Sequence, residues 1–379
     1  MHEARCFVEV SRSQIAANYR VVRDAVAPGA QVIGVVKANA YGHGAVEVAR
    51  VLKAEGIRWL AVSSVDEGVA LRDADIDCRI LVMAGVMPWE RGAVVQFGLR
   101  PVIHSLDELK AYAEFNDVLG PMKVHLKIDT GMDRLGTREP AGAILAAMEA
   151  SPEVKVEGLM SHFASATDFS STQTEDQLRA FQTVADGLAA RGFRPEVMHF
   201  CSTNAIAYPR SQAWGKEAWM QLVRPGHALY GYVSPTRGPA PQAVFAVKPA
   251  LQWKARIIMV KDVPAGAHVG YGGSYLAESD MRIAVLAAGY ADGILHRLSN
   301  KGKVIAGGRL APIVGTVSMD VTTVDITQSP WLKPGDEVTL LGREGDVSLD
   351  AQQIARTGGT ISYNVLSSIG SRVKRFYVD

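Results

Sequence analysis

Over the first 225 or so residues, short apolar runs alternate with longer amphipathic stretches. Residues 32–37, 58–63, 79–84, 100–103, 122–128, 156–162, 196–201 and 220–224 read as strands. Between them, 45–55, 105–115, 141–150 and 174–191 place apolar residues at helical spacing, the last two being rich in Ala and Leu. Repeated strand–helix units predict parallel pairing, and eight of them predict a closed (β/α)8 TIM-like barrel. The rhythm changes near residue 238. The segment 234–241 holds three prolines and a glycine, which sustain neither a helix nor a central strand, and it reads as a linker. Beyond it, 251–260, 282–287, 310–315, 321–326 and 337–341 are β-rich runs broken by Gly and Pro turns. One helix is expected over 351–356, capped by Ser348 and stopped by Gly358-Gly359. The expected organisation is an α/β barrel over 1–238 followed by a mostly β domain over 239–379.

Length agrees with that division, since 379 residues exceed what one hydrophobic core usually serves. With 40 basic and 39 acidic side chains the net charge is +1, and no Lys/Arg cluster forms a nucleic-acid or membrane footprint. A small molecule is therefore the expected partner. Three scattered cysteines, Cys6, Cys78 and Cys201, suit neither a disulfide framework nor a metal site, so a reduced cytoplasmic setting is expected and no metal. The start lacks a leader pattern, and no apolar run approaches the ~20 residues that a membrane span needs. Walker A, HExxH and GxSxG motifs are absent from the sequence.

Candidate chemistry gathers where the barrel reading places the C-terminal strand ends. Lys37, Lys127, His162, the segment 201–203 and Arg224 all fall at or just past those ends. Lys37 ends the run Gly34-Val35-Val36 and opens into Ala38-Asn39-Ala40-Tyr41-Gly42-His43-Gly44. Desolvation disfavours a charged amine, so a lysine there can become a neutral nucleophile for an aldehyde. The plainer reading is a stem covering apolar surface with its head in water. The glycines, Tyr41 and His43 beside it shift the balance towards a ligand site.

The lysine segment resembles the pyridoxal-phosphate motif of the alanine racemase family. The resemblance extends along nearly the whole chain, through Val124–Gly136, Ser161-His162-Phe163-Ala164, Val223–Gly231 and Val269-Gly270-Tyr271-Gly272-Gly273. It implies pyridoxal phosphate as cofactor and interconversion of L- and D-alanine, a supply line for cell-wall precursors in a bacterium. It further implies two bases on opposite faces of the substrate carbon, Lys37 and Tyr271. A tyrosine, with a reference pKa of about 10, serves as a base only where neighbours support its anion, and His162 with Arg224 would supply that support. Arg224 would also donate to the cofactor ring nitrogen, which an arginine leaves unprotonated. Phosphate contacts implied are Tyr41, Thr203, the backbone of Gly226 and His227, and Tyr363, with Ser202 as the alternative to Thr203 because serine is usual there. Arg134 would contact the substrate carboxylate, oriented by a carbamylated Lys127. Met319, Asp320 and the entrance residue Tyr290 complete the substrate side. Tyr271, Tyr290, Met319 and Asp320 would reach the site of a second copy, making the functional unit a homodimer with shared sites.

Each residue has a blander reading: Tyr271 as a loop anchor, His162 as a satisfied strand-end histidine, Arg224 and Arg134 as surface cations, Met319 as core. Competing functions are a broad-specificity amino-acid racemase, a decarboxylase on the same plan, and a pyridoxal-phosphate carrier. Decarboxylases of that plan pair the ring nitrogen with an acid, against Arg224, and carriers lack a second domain.

Overall fold

The computed structural model describes residues 3–115, 121–210 and 220–379. The chain divides into two compact units, one of Ile15–Ala40 and Ala45–Lys248, the other of Met1–Gln14, Tyr41–Gly44 and Pro249–Asp379. Strand β1 (Cys6–Ser11) comes first and belongs to the second of these.

The first unit is a closed barrel of eight parallel strands: β2 (Gln31–Val35), β3 (Trp59–Val62), β4 (Arg79–Val82), β5 (Arg100–Ile103), β6 (Met122–Lys127), β7 (Val154–Met160), β8 (Val197–Ser202) and β9 (Leu222–Arg224). Closure is made by Gln31 and Val32 of β2 pairing with Leu222 and Val223 of β9. The eight expected runs match these strands to within two residues at every end. Every residue of β3 is buried, as a strand covered on both faces requires. Helices at 45–54, 106–113, 141–149 and 173–189 follow the expected periods. A helix at Arg12–Ala25 was not anticipated; it buries Ile15, Tyr19 and Val22 along one stripe. Capping is explicit at Val65–Asp73, where Ser64 accepts from Glu67 N–H and the Glu67 carboxylate reaches back to the chain at Ser63 and Ser64. The Pro/Gly segment is pinned to its own unit: Phe169 N–H donates to Arg237 C=O (2.7 Å) and Arg237 N–H to Thr167 C=O (2.9 Å).

The second unit centres on a nine-stranded sheet. Its long strand β10 (Leu251–Val263) pairs with β1, with the strand Met281–Leu286 and with the strand Glu337–Glu344. The chain's last strand, Lys374–Val378, runs parallel to β1, with Phe7 opposite Lys374. The late helix spans Ala351–Gly358 and ends on Gly359 at φ 64°. Its cap is Asp350 rather than the expected Ser348, which is paired with Arg343 in a strand. Asp350 accepts from Gln353 N–H (2.8 Å) while the Gln353 side chain accepts from Asp350 N–H (2.7 Å), a reciprocal closure that a serine two residues earlier cannot make.

Candidate active site

At the end of β2 the backbone does something unusual for ordinary residues. Ala38, Asn39, Ala40 and Tyr41 all lie in the left-handed region, with φ of 51° to 54°. Such a conformation costs L-residues roughly 1–2 kcal/mol each, and strain of this kind collects at functional sites. Side chains hold the turn. Ala38 N–H donates to the Glu67 carboxylate (2.5 Å), Ala45 N–H to Asn39 Oδ1 (2.9 Å), and Tyr230 Oη to Val35 C=O (2.7 Å). Gly42 follows at φ 82°, where a Cβ would lie 2.3 Å from Leu366 C=O, so only glycine fits. Lys37 is half-buried at the head of this turn. Burial first, then the nearby Arg134 cation, holds its amine below the ordinary lysine pKa.

Arg224, at the end of β9, is the hub of the barrel mouth. It is buried, and its guanidinium donates from Nη1 to His199 Nδ1 (2.6 Å) and His199 C=O (3.0 Å), and from Nη2 to Ser161 C=O (2.6 Å), Phe200 C=O (3.0 Å) and His162 Nδ1 (3.1 Å). Burial lowers its pKa to about 10, which leaves it a cation at neutral pH. Because arginine only donates, both histidine Nδ1 atoms accept, and each neutral ring carries its proton on Nε2. Burial, and secondarily Arg224, holds His162 and His199 well below the ordinary histidine pKa.

Lys127, at the end of β6, is buried and lowered to about 8, by burial first and then by Arg134 and Arg224. Arg134 is exposed, on the loop after β6. The fields of Lys37, Lys127, Arg134 and Arg224 all act on His162, so these five groups share one mouth. Thr203 is buried just past β8, and its Oγ1 accepts from Gly226 N–H (3.1 Å) and Ala228 N–H (3.2 Å). Ser202 is only half-buried and makes no cap bond. His227 is buried, its ring stacked on Tyr232 at 5.1 Å.

The remaining candidates lie on the second unit. Tyr41 is buried, its ring 5.8 Å from that of the half-buried Tyr363. Tyr271, 76% exposed, sits in a braced turn: Thr316 Oγ1 donates to Tyr271 C=O (3.2 Å), and Asn300 Nδ2 donates to Ser274 C=O (3.0 Å). Tyr290 and Met319 are exposed, and their segments are joined by Tyr290 N–H to Ser318 C=O (2.9 Å) and Ala291 N–H to Met319 C=O (3.0 Å). Arg372 clamps Asp292 through two bonds (2.7 and 2.8 Å) and pairs with Asp320 at 2.9 Å.

Sequence reasoning passed over Glu67, His104, His125, His199 and Arg372. His125 and His199 carried a signal, each being a polar residue inside an apolar strand, in Val124-His125-Leu126 and Met198-His199-Phe200. Glu67 and Arg372 act through tertiary contacts and had none.

A closed parallel barrel with a strained lysine turn and a buried arginine–histidine hub at its mouth, carried on one chain with a mostly β unit, defines a barrel enzyme of lysine-centred chemistry. The comparisons narrow this. The family description "Alanine racemase, N-terminal domain" matches residues 10–235, and "Alanine racemase, C-terminal domain" matches 250–377. Alanine racemase of Syntrophobacter fumaroxidans is 38% identical over 377 residues, covering 99% of this chain and 98% of the relative. That of Carboxydothermus hydrogenoformans is 38% identical over 373 residues, covering 98% and 99%. Among solved structures, Bacillus anthracis alanine racemase with bound L-Ala-P superposes with a TM-score of 0.91 at 30% identity, covering 100% of this chain and 96% of that one. Bartonella henselae alanine racemase with covalently bound pyridoxal phosphate gives 0.85 at 29%, covering 99% and 100%. The chain belongs to the alanine racemase family.

The buried histidines set an acid limit on the fold. Burial, and then Lys127, lowers His104 from 6.5 to about 4. A group depressed in this way supplies stability that is full above its unfolded pKa and drains as pH falls through the folded value. Between pH 7 and 4.5 the parent should lose about 2–3 kcal/mol more than His104→Gln in urea unfolding. Equal losses would show that His104 is not held neutral.

Proposed function

We propose that this protein racemises alanine with pyridoxal phosphate. The observation that carries the reading is the barrel mouth itself, where Arg134 acts on Lys37 and Lys127, Arg224 acts on Lys127, and all four cations act on His162. Its cationic character suits a cofactor with a phosphate dianion and a substrate with a carboxylate. The cofactor, when bound, supplies an electron sink for the substrate carbon. Lys37 would hold its aldehyde, an assignment supported by the lowered amine pKa. Arg224 would donate to the ring nitrogen as a fixed cation. Thr203, the Gly226–His227 backbone, Tyr41 and Tyr363 would receive the phosphate. Thr203 Oγ1 already accepts two N–H groups, so its own proton is oriented outward as a donor, which supports it over Ser202.

Lys37 then takes or returns a proton on one face of the substrate carbon, and Tyr271 on the other. Arg134 orients the carboxylate, while Met319 and Tyr290 limit the side-chain space. Tyr271, Tyr290 and Met319 stand exposed on braced turns, which supports a homodimer in which a second copy receives them. The three free, buried cysteines fit a reducing cytoplasm. Among the described residues no helix is long and apolar enough to cross a membrane.

With pyridoxal phosphate and L-alanine, D-alanine should form faster than the products of L-serine, L-lysine or L-arginine, and Lys37→Ala should abolish it. Equal turnover of the larger substrates would point to a broad-specificity racemase. Tyr271→Phe should slow proton removal from one enantiomer more than from the other, and equal small losses in both directions would remove it as a base. Mixing Lys37→Ala with Tyr271→Ala protein under subunit exchange should restore about a quarter of the parent rate, because half the dimers then carry one intact site. No recovery would mean that each chain completes its own site.

The Lys127 amine, at about 8, has a neutral fraction near physiological pH that can take up carbon dioxide. We therefore assign it a carbamate that orients Arg134. A carbamate carbon signal after growth on 13C-bicarbonate, lost in Lys127→Met, is the expected outcome; a parent without that signal refutes the assignment.

A further inference from the structure

A row of buried polar groups runs from the hub into the barrel. His199 Nε2 stands 2.7 Å from His125 Nδ1, and His125 Nε2, which makes no hydrogen bond, faces the Glu157 carboxylate at 3.5 Å, an electrostatic contact only. Glu157 is anchored by Arg100 Nε (3.0 Å) and lies 3.7 Å from Lys123 Nζ. Burial works against its charge, but His125, Arg100 and Lys123 together hold its carboxyl below the ordinary value. Glu157, His125 and His199 are all buried.

Two details of the backbone serve this row. The β6–β7 pairing runs Val124 to Val156 and then His125 to Gly158, skipping Glu157, and a bulge of this kind re-aims one side chain. A Cβ on Gly158 would lie 2.4 Å from His125 Nδ1, so the ring lies where only a glycine leaves space.

Donor and acceptor counting gives the row one direction. Arg224 can only donate, so His199 Nδ1 accepts and its Nε2 carries the proton. That proton must go to His125 Nδ1, which leaves His125 Nε2 protonated and facing a carboxylate that can only accept. We propose that Glu157 is a positioning residue, which through His125 and His199 fixes both ring tautomers and so holds Arg224 as an oriented, donor-only cation. The carboxylate terminates a chain whose other end is the guanidinium, and placing a donor at the Glu157 end would drive both tautomers round until two N–H groups opposed each other at His199 and Arg224. The inference rests on the proposed role of Arg224 towards the cofactor, but its test does not.

The test is nitrogen NMR of the holoenzyme labelled with 15N-histidine, with His125 and His199 assigned from His125→Gln and His199→Gln spectra. Both rings should show protonated Nε2 and unprotonated Nδ1 from pH 6 to 9. A protonated Nδ1, or an imidazolium in either ring, overturns the proposal without any variant. In Glu157→Gln the amide presents Arg100 and Lys123 with a donor or else presents one to His125. The expected result is a second tautomer population at His199, with kcat for alanine down about tenfold and KM little changed, the scale of other ring-orienting partners. If Glu157→Gln only lowers thermal stability and leaves the His199 nitrogens unmoved, Glu157 is merely an anchor for Arg100. An absence of D-alanine formation in the parent would instead count against the racemase reading, leaving the tautomer result intact.

Discussion

A guanidinium that can only donate, enclosed at the end of β9, is the constraint around which the barrel mouth is arranged. Taking such a charge out of water costs several kcal/mol unless hydrogen bonds replace its hydration. Arg224 finds three backbone carbonyls and two imidazoles, and those partners occupy the ends of β7 and β8. Each imidazole is thereby kept neutral, and each keeps one nitrogen committed. Positive charge is concentrated there with Lys37, Lys127 and Arg134; burial first, then Arg134, and for Lys127 also Arg224, lowers both lysines towards the neutral amine. Charge repulsion and burial thus act in the same direction on the two groups whose neutral forms have chemistry.

The lysine turn shows a second use of constraint. Four consecutive left-handed residues are held by a carboxylate that also caps the neighbouring helix, so Glu67 joins local helix formation to the presentation of Lys37. A glycine-rich sequence would adopt the same path more easily, but with more freedom to lose it.

Much of the barrel was legible because periodicity is a local property. All eight strands and four of the helices stood out as runs of the right length. The closure of Gln31 and Val32 on β9 follows from eight repeats, which was the fold-level inference. What escaped detection was non-local. Strand β1 reads as an ordinary apolar segment, and nothing near it points to partners at Leu251 and Lys374. Asp350 displaced Ser348 as cap because capping depends on which residue faces Gln353. Lys37, Lys127, Arg134, His162 and Arg224 could be placed at one mouth from strand ends and motif resemblance together. His199 and His125 were visible only as polar interruptions, and their meaning needed the neighbouring strand. Glu157 needed the bulge as well.

The pairing of β1 also bears on how the chain is made. Phe7 emerges early, yet its partner Lys374 lies 367 positions later (374 − 7). At about 5–20 residues per second, roughly 20–70 s pass between the two. The barrel strands are complete by Arg224 and can associate while β1 still has an open edge, a ready template for pairing with other chains. Translation speed and chaperone cover over that interval are therefore built into the demands of this topology, independent of the chemistry it later performs.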